Sequence, residues 1–172
     1  FRSVVRALNL MVEQVRTMFA EQAGRIEGLR AEANRDALTA LPNRSFFLGR
    51  LRTELEGEEA QPVGALALVR LKDLADVNRS LGRERTDGLI RATAEALRET
   101  AGEDGQGLLA RLNGADFAWL MPGSERDEVE SRAAQIVRAL EALRRRLHLE
   151  LDVAGHVGVT LFRRGDELAG VL

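Results

Sequence analysis

The chain has no cysteine, which excludes disulfides, thiolate nucleophiles and cysteine-ligated metals together and fits a reducing compartment. No stretch approaches the roughly 20 apolar residues that cross a bilayer, and no signal peptide is visible at the start. Charge of one sign is lacking too. With 27 acidic and 25 basic residues the net charge is -2, so there is no electrostatic footprint for nucleic acid. Proline is scarce, at 3 in 172 residues, while 45% hydrophobic and 30% charged residues match an ordinary globular composition. The length suits one domain with an appendage. The chain opens at Phe1, without Met and in mid-pattern, as expected of a piece of a longer protein.

The appendage carries the clearest periodicity. Phe1, Val5, Leu8, Val12, Val15, Phe19, Gln22, Ile26, Leu29 and Ala33 follow alternating spacings of four and three, a heptad seam. A lone helix would leave this seam in water, so the spacing predicts a homodimer through a coiled-coil stalk. A second row, Val4, Met11 and Met18, broadens the stripe before giving way to Arg25 and Glu32, as if a helix left a bundle and continued as a thinner coil. Gly24 and Gly28 fall near that change and are either a soft joint or tolerated surface glycines. Gln22, the one polar seam residue, either fixes register or reaches to the edge.

From about residue 36 the pattern becomes mixed. Residues 44–57 place Phe47, Leu48, Leu51 and Leu55 on one helical face. Residues 63–71 form a nearly continuous apolar run, as in a strand covered on both sides. A helix is predicted over 84–101, with Leu89, Ala92, Ala96 and Leu97 inward and Gly102 as its stop. Asn113-Gly114, between strand-like runs in 108–121, predicts a hairpin with a type I′ turn. Ser124 with Asp127 resembles a capping box for a helix whose inner face is Val129, Ala133, Ile136, Val137, Leu140 and Leu147. Residues 149–161 alternate, with Leu149, Leu151, Val153, Gly155, Val157, Val159 and Leu161 on the apolar face of a half-buried strand. The expected fold class is α/β (α+β), a central β-sheet flanked by helices. The expected division is a stalk at 1–35 and a globular domain at 36–172.

Three ordered segments resemble the GGDEF family of nucleotide cyclases. DALTALPNR at 36–44 is similar to that family's DxLTGLPNR, with Ala40 in place of Gly. ALALVRLKDLADVNRSLGRERTDGLI at 65–90 resembles its ALLLLDLDHFKxINDxxGHxxGDxLL, and RLNGADFAWLMPG at 111–123 its RxGGDEFxxLLPG. No one of these motifs suffices, but the ordered set is specific. The N-terminal helix resembles the second helix of a HAMP module running into a signalling helix. LNLMVEQV and MFAEQ at 8–22 are similar to LapD-type cyclic-di-GMP receptors, in which a degenerate GGDEF domain precedes an EAL domain.

The resemblance implies chemistry that this chain lacks the groups to perform. In the family two GTP molecules meet across a dimer. Metal ions held by an Asp at the end of the first strand and an acid at the third position of the GGDEF turn activate the attack. Those positions are Arg70 and Ala115 here, so neither carboxylate that a hard cation needs is present. Asp116, one residue along, is expected on the opposite face by strand alternation. Asn113, at the first Gly, puts a side chain where backbone would approach phosphate. The inhibitory product site of the family, RxxD, falls on Asp104 to Gly107 and reads DGQG. Two guanine-contacting family positions persist as Asn78 and Asp87. They either retain base recognition or serve the helix, Asn78 at its entry and Asp87 as a first-turn acid. Arg70 also has the charge to meet a phosphate directly.

Other candidates carry less. His148 and His156 share a side of the last strand but lack a third ligand for a metal. Arg144, Arg145 and Arg146 suit a solvated helix C-terminus, Glu58 and Glu59 a solvated loop, and Trp119 the core. The expectation is a catalytically inactive, dimeric relay without metal or cofactor, in a membrane-bound cyclic-di-GMP receptor or phosphodiesterase-type protein on the cytoplasmic side of the bacterial inner membrane, acting on a downstream EAL domain. A GTP sensor through Asn78 and Asp87 is the alternative, and an active cyclase the second.

Overall fold

The computed structural model describes residues 2–102, 107–147 and 155–172, with only the backbone of residues 2–5 and 7–9. Two compact units, Phe1–Arg35 and Asp36–Leu172, divide the chain. The first is one helix, α1 (Arg2–Ala33), 32 residues long. At 1.5 Å per residue it spans about 48 Å. It runs unbroken through Gly24 and Gly28, so neither glycine interrupts it as a joint. Val12, Val15, Phe19, Ile26 and Leu29 are exposed along it, as are Leu10, Met11 and Met18. Gln22 is exposed as well. Val5 and Leu8 lie in the helix with side chains outside the described residues, as does Phe1 entirely.

The second unit follows the order α2 (Arg44–Glu56), β1 (Val63–Arg70), α3 (Leu74–Leu81), α4 (Arg83–Ala101), β2 (Leu108–Arg111), β3 (Asp116–Pro122), α5 (Arg126–Arg146), β4 (His156–Arg163) and α6 (Leu168–Val171). The sheet is ordered β2-β3-β1-β4, and β3 pairs antiparallel with both neighbours. β1 and β2, joined through α3 and α4, are thus held apart by β3, a split βαβ arrangement. β1 is central and its apolar run is covered on both faces, as an uninterrupted run requires. Ala65, Ala67 and Val69 pack with Ile90, Ala94 and Leu97 of α4 and with Ile136 and Leu140 of α5. Leu66 faces the other way, onto Phe47, Leu51 and Leu55 of α2 and Val171 of α6. Trp119 is in the first of these cores, 2% exposed.

Five local expectations need correction. The helix expected from 84 is preceded by a separate one, α3; Gly82, at φ 79°, turns the chain between them. On α4 the buried face is Leu89, Ile90, Thr93, Ala94 and Leu97, with Ala92 and Ala96 half-buried at its edge. Ser124 caps nothing: Glu125 is the N-cap of α5, without a side-chain cap bond, and Ser124 is buried. On α5 the residues buried are Val129, Ile136, Leu140 and Leu143, a stripe narrower than the one expected. Ala133 is half-buried, and Val137 and Leu147 are exposed. On β4 it is Phe162, on the opposite face, that is buried; its ring lies where a Cβ on Gly64 would stand at 2.5 Å. Val157 packs partly against the core, but Val159 and Leu161 are each 40% exposed. Alternation says which residues share a face, not whether a helix reaches over it. Residues 149–154 of the expected strand lie outside the described residues.

Candidate functional site

The site forms where β1 ends. Arg70, the last residue of β1, is paired in register with Asp116, the first of β3, and with His156, the first of β4. Directly opposed residues of an antiparallel pair share a face, so the three side chains form a row across the sheet. Beside them a cavity of about 520 Å³ is walled by Leu48, Leu68 and Leu112 and rimmed by Arg44, Asn113 and this row.

The Arg70 guanidinium grips Asp116 with two parallel bonds, Nε to Oδ1 at 2.6 Å and Nη2 to Oδ2 at 2.9 Å. Such forks are strong and directional. Asn113 Nδ2 donates a third bond to Oδ2 at 2.7 Å. The hydrogen bonds from Arg70 hold the Asp116 carboxyl below the ordinary carboxylate range; burial opposes this and the Asn113 bond assists it. The same pairing raises Arg70 above its usual value. Counting from Ala115, strand alternation puts Asp116 on the other face as expected, and that face is the one Arg70 occupies. Ala115 packs its methyl partly against the core, while its carbonyl accepts the Leu71 N–H at 2.9 Å.

The turn differs from expectation as well. A type I′ turn needs positive φ at both central residues, and neither Asn113 nor Gly114 has it. Instead residues 112–115 make a wider loop. Leu112 N–H donates to the Asp116 carbonyl at 2.8 Å. Asn113 Oδ1 accepts the backbone N–H groups of Ala115 and Asp116, both at 3.3 Å. The Asn113 side chain closes on its own loop, an Asx-type motif that competes with the primed turn.

A divalent cation does not fit this donor set. Hard cations need several oxygen ligands. The one carboxylate here is already gripped by a guanidinium, and Ala115 offers a methyl. The Arg70 guanidinium is itself a positive charge beside the site and repels any divalent ion brought near it.

Asn78 and Asp87 are elsewhere. Neither is among the residues that line the cavity. Asn78 is exposed on α3, and its carbonyl accepts the Gly82 N–H at 3.0 Å; it does not stand at a helix entry. Asp87 sits a turn inside α4, 3.9 Å from Arg83, and the first-turn acid is Glu84. Asp104 and His148 lie outside the described residues.

A second network, unforeseen from the spacing, adjoins the site. Asp36 Oδ1 accepts the N–H and the hydroxyl of Thr39, at 2.9 and 2.8 Å. Arg111 Nη1 reaches both Asp36 oxygens, at 3.0 and 3.1 Å. Burial pushes Asp36 up, but the bonds from Thr39 and Arg111 outweigh it and leave the carboxyl below its usual value. Ala40 closes this turn at φ 57°, in the region where the family pattern has glycine. Asp36 and Arg111 each open a motif segment, the one signal that singles them out in the sequence. Asn43 ends the turn as the N-cap of α2, its Oδ1 accepting the Phe46 N–H at 3.1 Å.

Comparison with known proteins gives the family and the fold. The family model described as diguanylate cyclase, GGDEF domain, matches residues 33–172. The RNase E specificity factor CsrD of Escherichia coli is 29% identical over 168 residues, 96% of this chain and 26% of that protein. The chain thus spans about a quarter of that relative's length. Among solved structures, the coiled coil and GGDEF domain of DgcB from Caulobacter crescentus, in complex with c-di-GMP, superposes with a TM-score of 0.75 at 25% identity, covering 95% of this chain and 87% of that one. The S helix-GGDEF-EAL structure of Vibrio cholerae LapD gives a TM-score of 0.74 at 22% identity, over 89% of this chain and 35% of that one, and so shares the fold. Among the described residues no helix is long and apolar enough to cross a membrane.

Proposed function

This chain belongs to the diguanylate cyclase GGDEF-domain family, and we propose that it is a member without cyclase activity, acting as a dimeric signal relay. The observation that carries the proposal is the Arg70–Asp116 fork. A guanidinium stands where the family places its metal-binding Asp, and it engages the nearest carboxylate. α1 supplies the dimer contact through Val5, Leu8, Val12, Val15, Phe19, Gln22, Ile26 and Leu29. A rotation or separation of paired stalks repositions two inert globular units, which hold or release a downstream module. That module is an EAL domain, in a receptor anchored at the cytoplasmic side of the bacterial inner membrane by segments outside this chain. The joined S helix, GGDEF and EAL regions of LapD support this order.

A second reading, a GTP-binding regulatory domain, is favoured by one observation: the Asn78 side chain is exposed and Asp87 is only partly covered, so both family guanine positions are open to a ligand. Titrating the 172-residue chain with GTP by calorimetry, with and without Mg²⁺, and assaying cyclic-di-GMP afterwards separates the two. The relay expects neither product nor micromolar binding. Binding without product points to the sensor. Product, or a crystal soaked with nucleotide showing magnesium beside Arg70 and Ala115, ends the proposal of inactivity.

A further inference from the structure

The Arg111 guanidinium does more than pair with Asp36. Nε donates to the Asn113 carbonyl at 3.0 Å and Nη2 to the Gly114 carbonyl at 3.0 Å, while Nη1 holds Asp36. All three nitrogens are engaged, and only 11% of the side chain is exposed. One rigid, planar group therefore joins two segments distant in sequence. The first is the turn 36–41, the start of the globular unit and the continuation of the chain after α1. The second is the loop 112–115, whose Asn113 rims the cavity and bonds Asp116. The turn has little freedom of its own. Asp36 N–H donates to the Leu41 carbonyl at 2.7 Å, and Leu41 is 3% exposed in the core. Arg98 Nη2 donates to the Thr39 carbonyl at 3.3 Å, and Arg111 N–H to the Pro42 carbonyl at 2.9 Å.

We infer that Arg111 is a positioning residue that couples the entry turn to the cavity rim, so that displacement of Asp36 moves Asn113 and, through it, Asp116. Lysine cannot replace it: an ammonium keeps the charge opposite Asp36 but has no planar fork to span both carbonyls. This deepens the relay reading by naming a path inside the globular unit, and rests on that reading only for its purpose.

Amide hydrogen exchange on the full 172-residue chain tests the coupling. Asp36→Asn weakens the grip on Arg111 and is expected to speed exchange at Leu112, Ala115 and Asp116 about tenfold, leaving Leu66 and Ala118 in the sheet centre unchanged. Arg111→Lys is expected to free the same loop while Thr39 and Ala40 stay protected. The double variant should add nothing at the loop beyond Arg111→Lys alone. If Asp36→Asn does not fold, Thr39→Val removes one bond to Asp36 and takes none from Arg111; a smaller rise at the loop is then expected. Loop rates that stay at wild type in Asp36→Asn or Thr39→Val, or in Arg111→Lys, overturn the inference. A general rise at every amide does so too, since that is what lost stability alone produces. The relay reading fails separately, on stalk association and on nucleotide turnover, neither of which this measurement touches.

Discussion

The apolar residues of α1 and of β1 are alike in kind and opposite in fate. Along α1, Phe19 is 68% exposed and Leu29 59%, whereas on β1 Leu66 is 0% exposed and Ala67 1%. The strand finds partners on both faces in the helices of its own chain. The helix repeats every three and four residues, and within its own unit nothing covers that stripe. Burying a Leu, Val, Ile or Phe side chain stabilises by about 1.5–3 kcal/mol. The five large apolar seam residues with described side chains, Val12, Val15, Phe19, Ile26 and Leu29, thus leave on the order of 10 kcal/mol unrealised, as an upper bound. A fold closed on itself and a helix that leaves its apolar stripe open are parts of one sequence.

The sharpest way to break that contrast is to remove the helix. A chain beginning at Asn34 should sediment as a monomer where the full chain sediments as a dimer, and a truncated form that stays dimeric would move the association into the globular unit. Next in size is the enclosed ion pair. Arg111→Ala should cost about 3 kcal/mol in urea unfolding, because it strands Asp36 and two loop carbonyls. Arg70→Ala removes an open pair and should leave the urea midpoint nearly unchanged.

Acid should weaken the globular unit, which holds both perturbed carboxylates. Asp36 and Asp116 are both held below the ordinary carboxylate range. Each binds fewer protons folded than unfolded, so the stability it lends is complete above the unfolded value of about 4 and is lost as pH falls through the folded value. Thermal melts from about pH 5 to pH 2 should fall more steeply for wild type than for Asp36→Asn. A gain of stability is expected from relief of backbone strain. Ala40 is left-handed at φ 57°, a conformation glycine adopts without cost, so Ala40→Gly should raise the unfolding free energy by about 1 kcal/mol.

Much of the fold was legible because it follows from local spacing. The run at 63–71, the face of Phe47, Leu51 and Leu55, and the stalk period each declare an element without reference to the rest. What failed was contact between elements. Val159 and Leu161 alternate as a buried face should, yet β4 is an edge strand and both are half-open. Asn113-Gly114 carries the strongest short hairpin signal, yet the Asn113 amide bonds its own loop and Asp116. α3 was hidden because its 8 residues bury only Val77.

Side-chain identity alone determined that Arg70 and Ala115 bring no carboxylate to this end of the sheet, since a missing carboxylate is missing in any conformation. The sequence also determined the period of each element, because apolar spacing dictates which residues can share a face. Only the tertiary structure decided that Asp116 lies opposite Arg70 and that Arg111 spans Asp36 and the loop. Cross-strand partnership depends on register, and register is set by how the whole sheet packs against its helices.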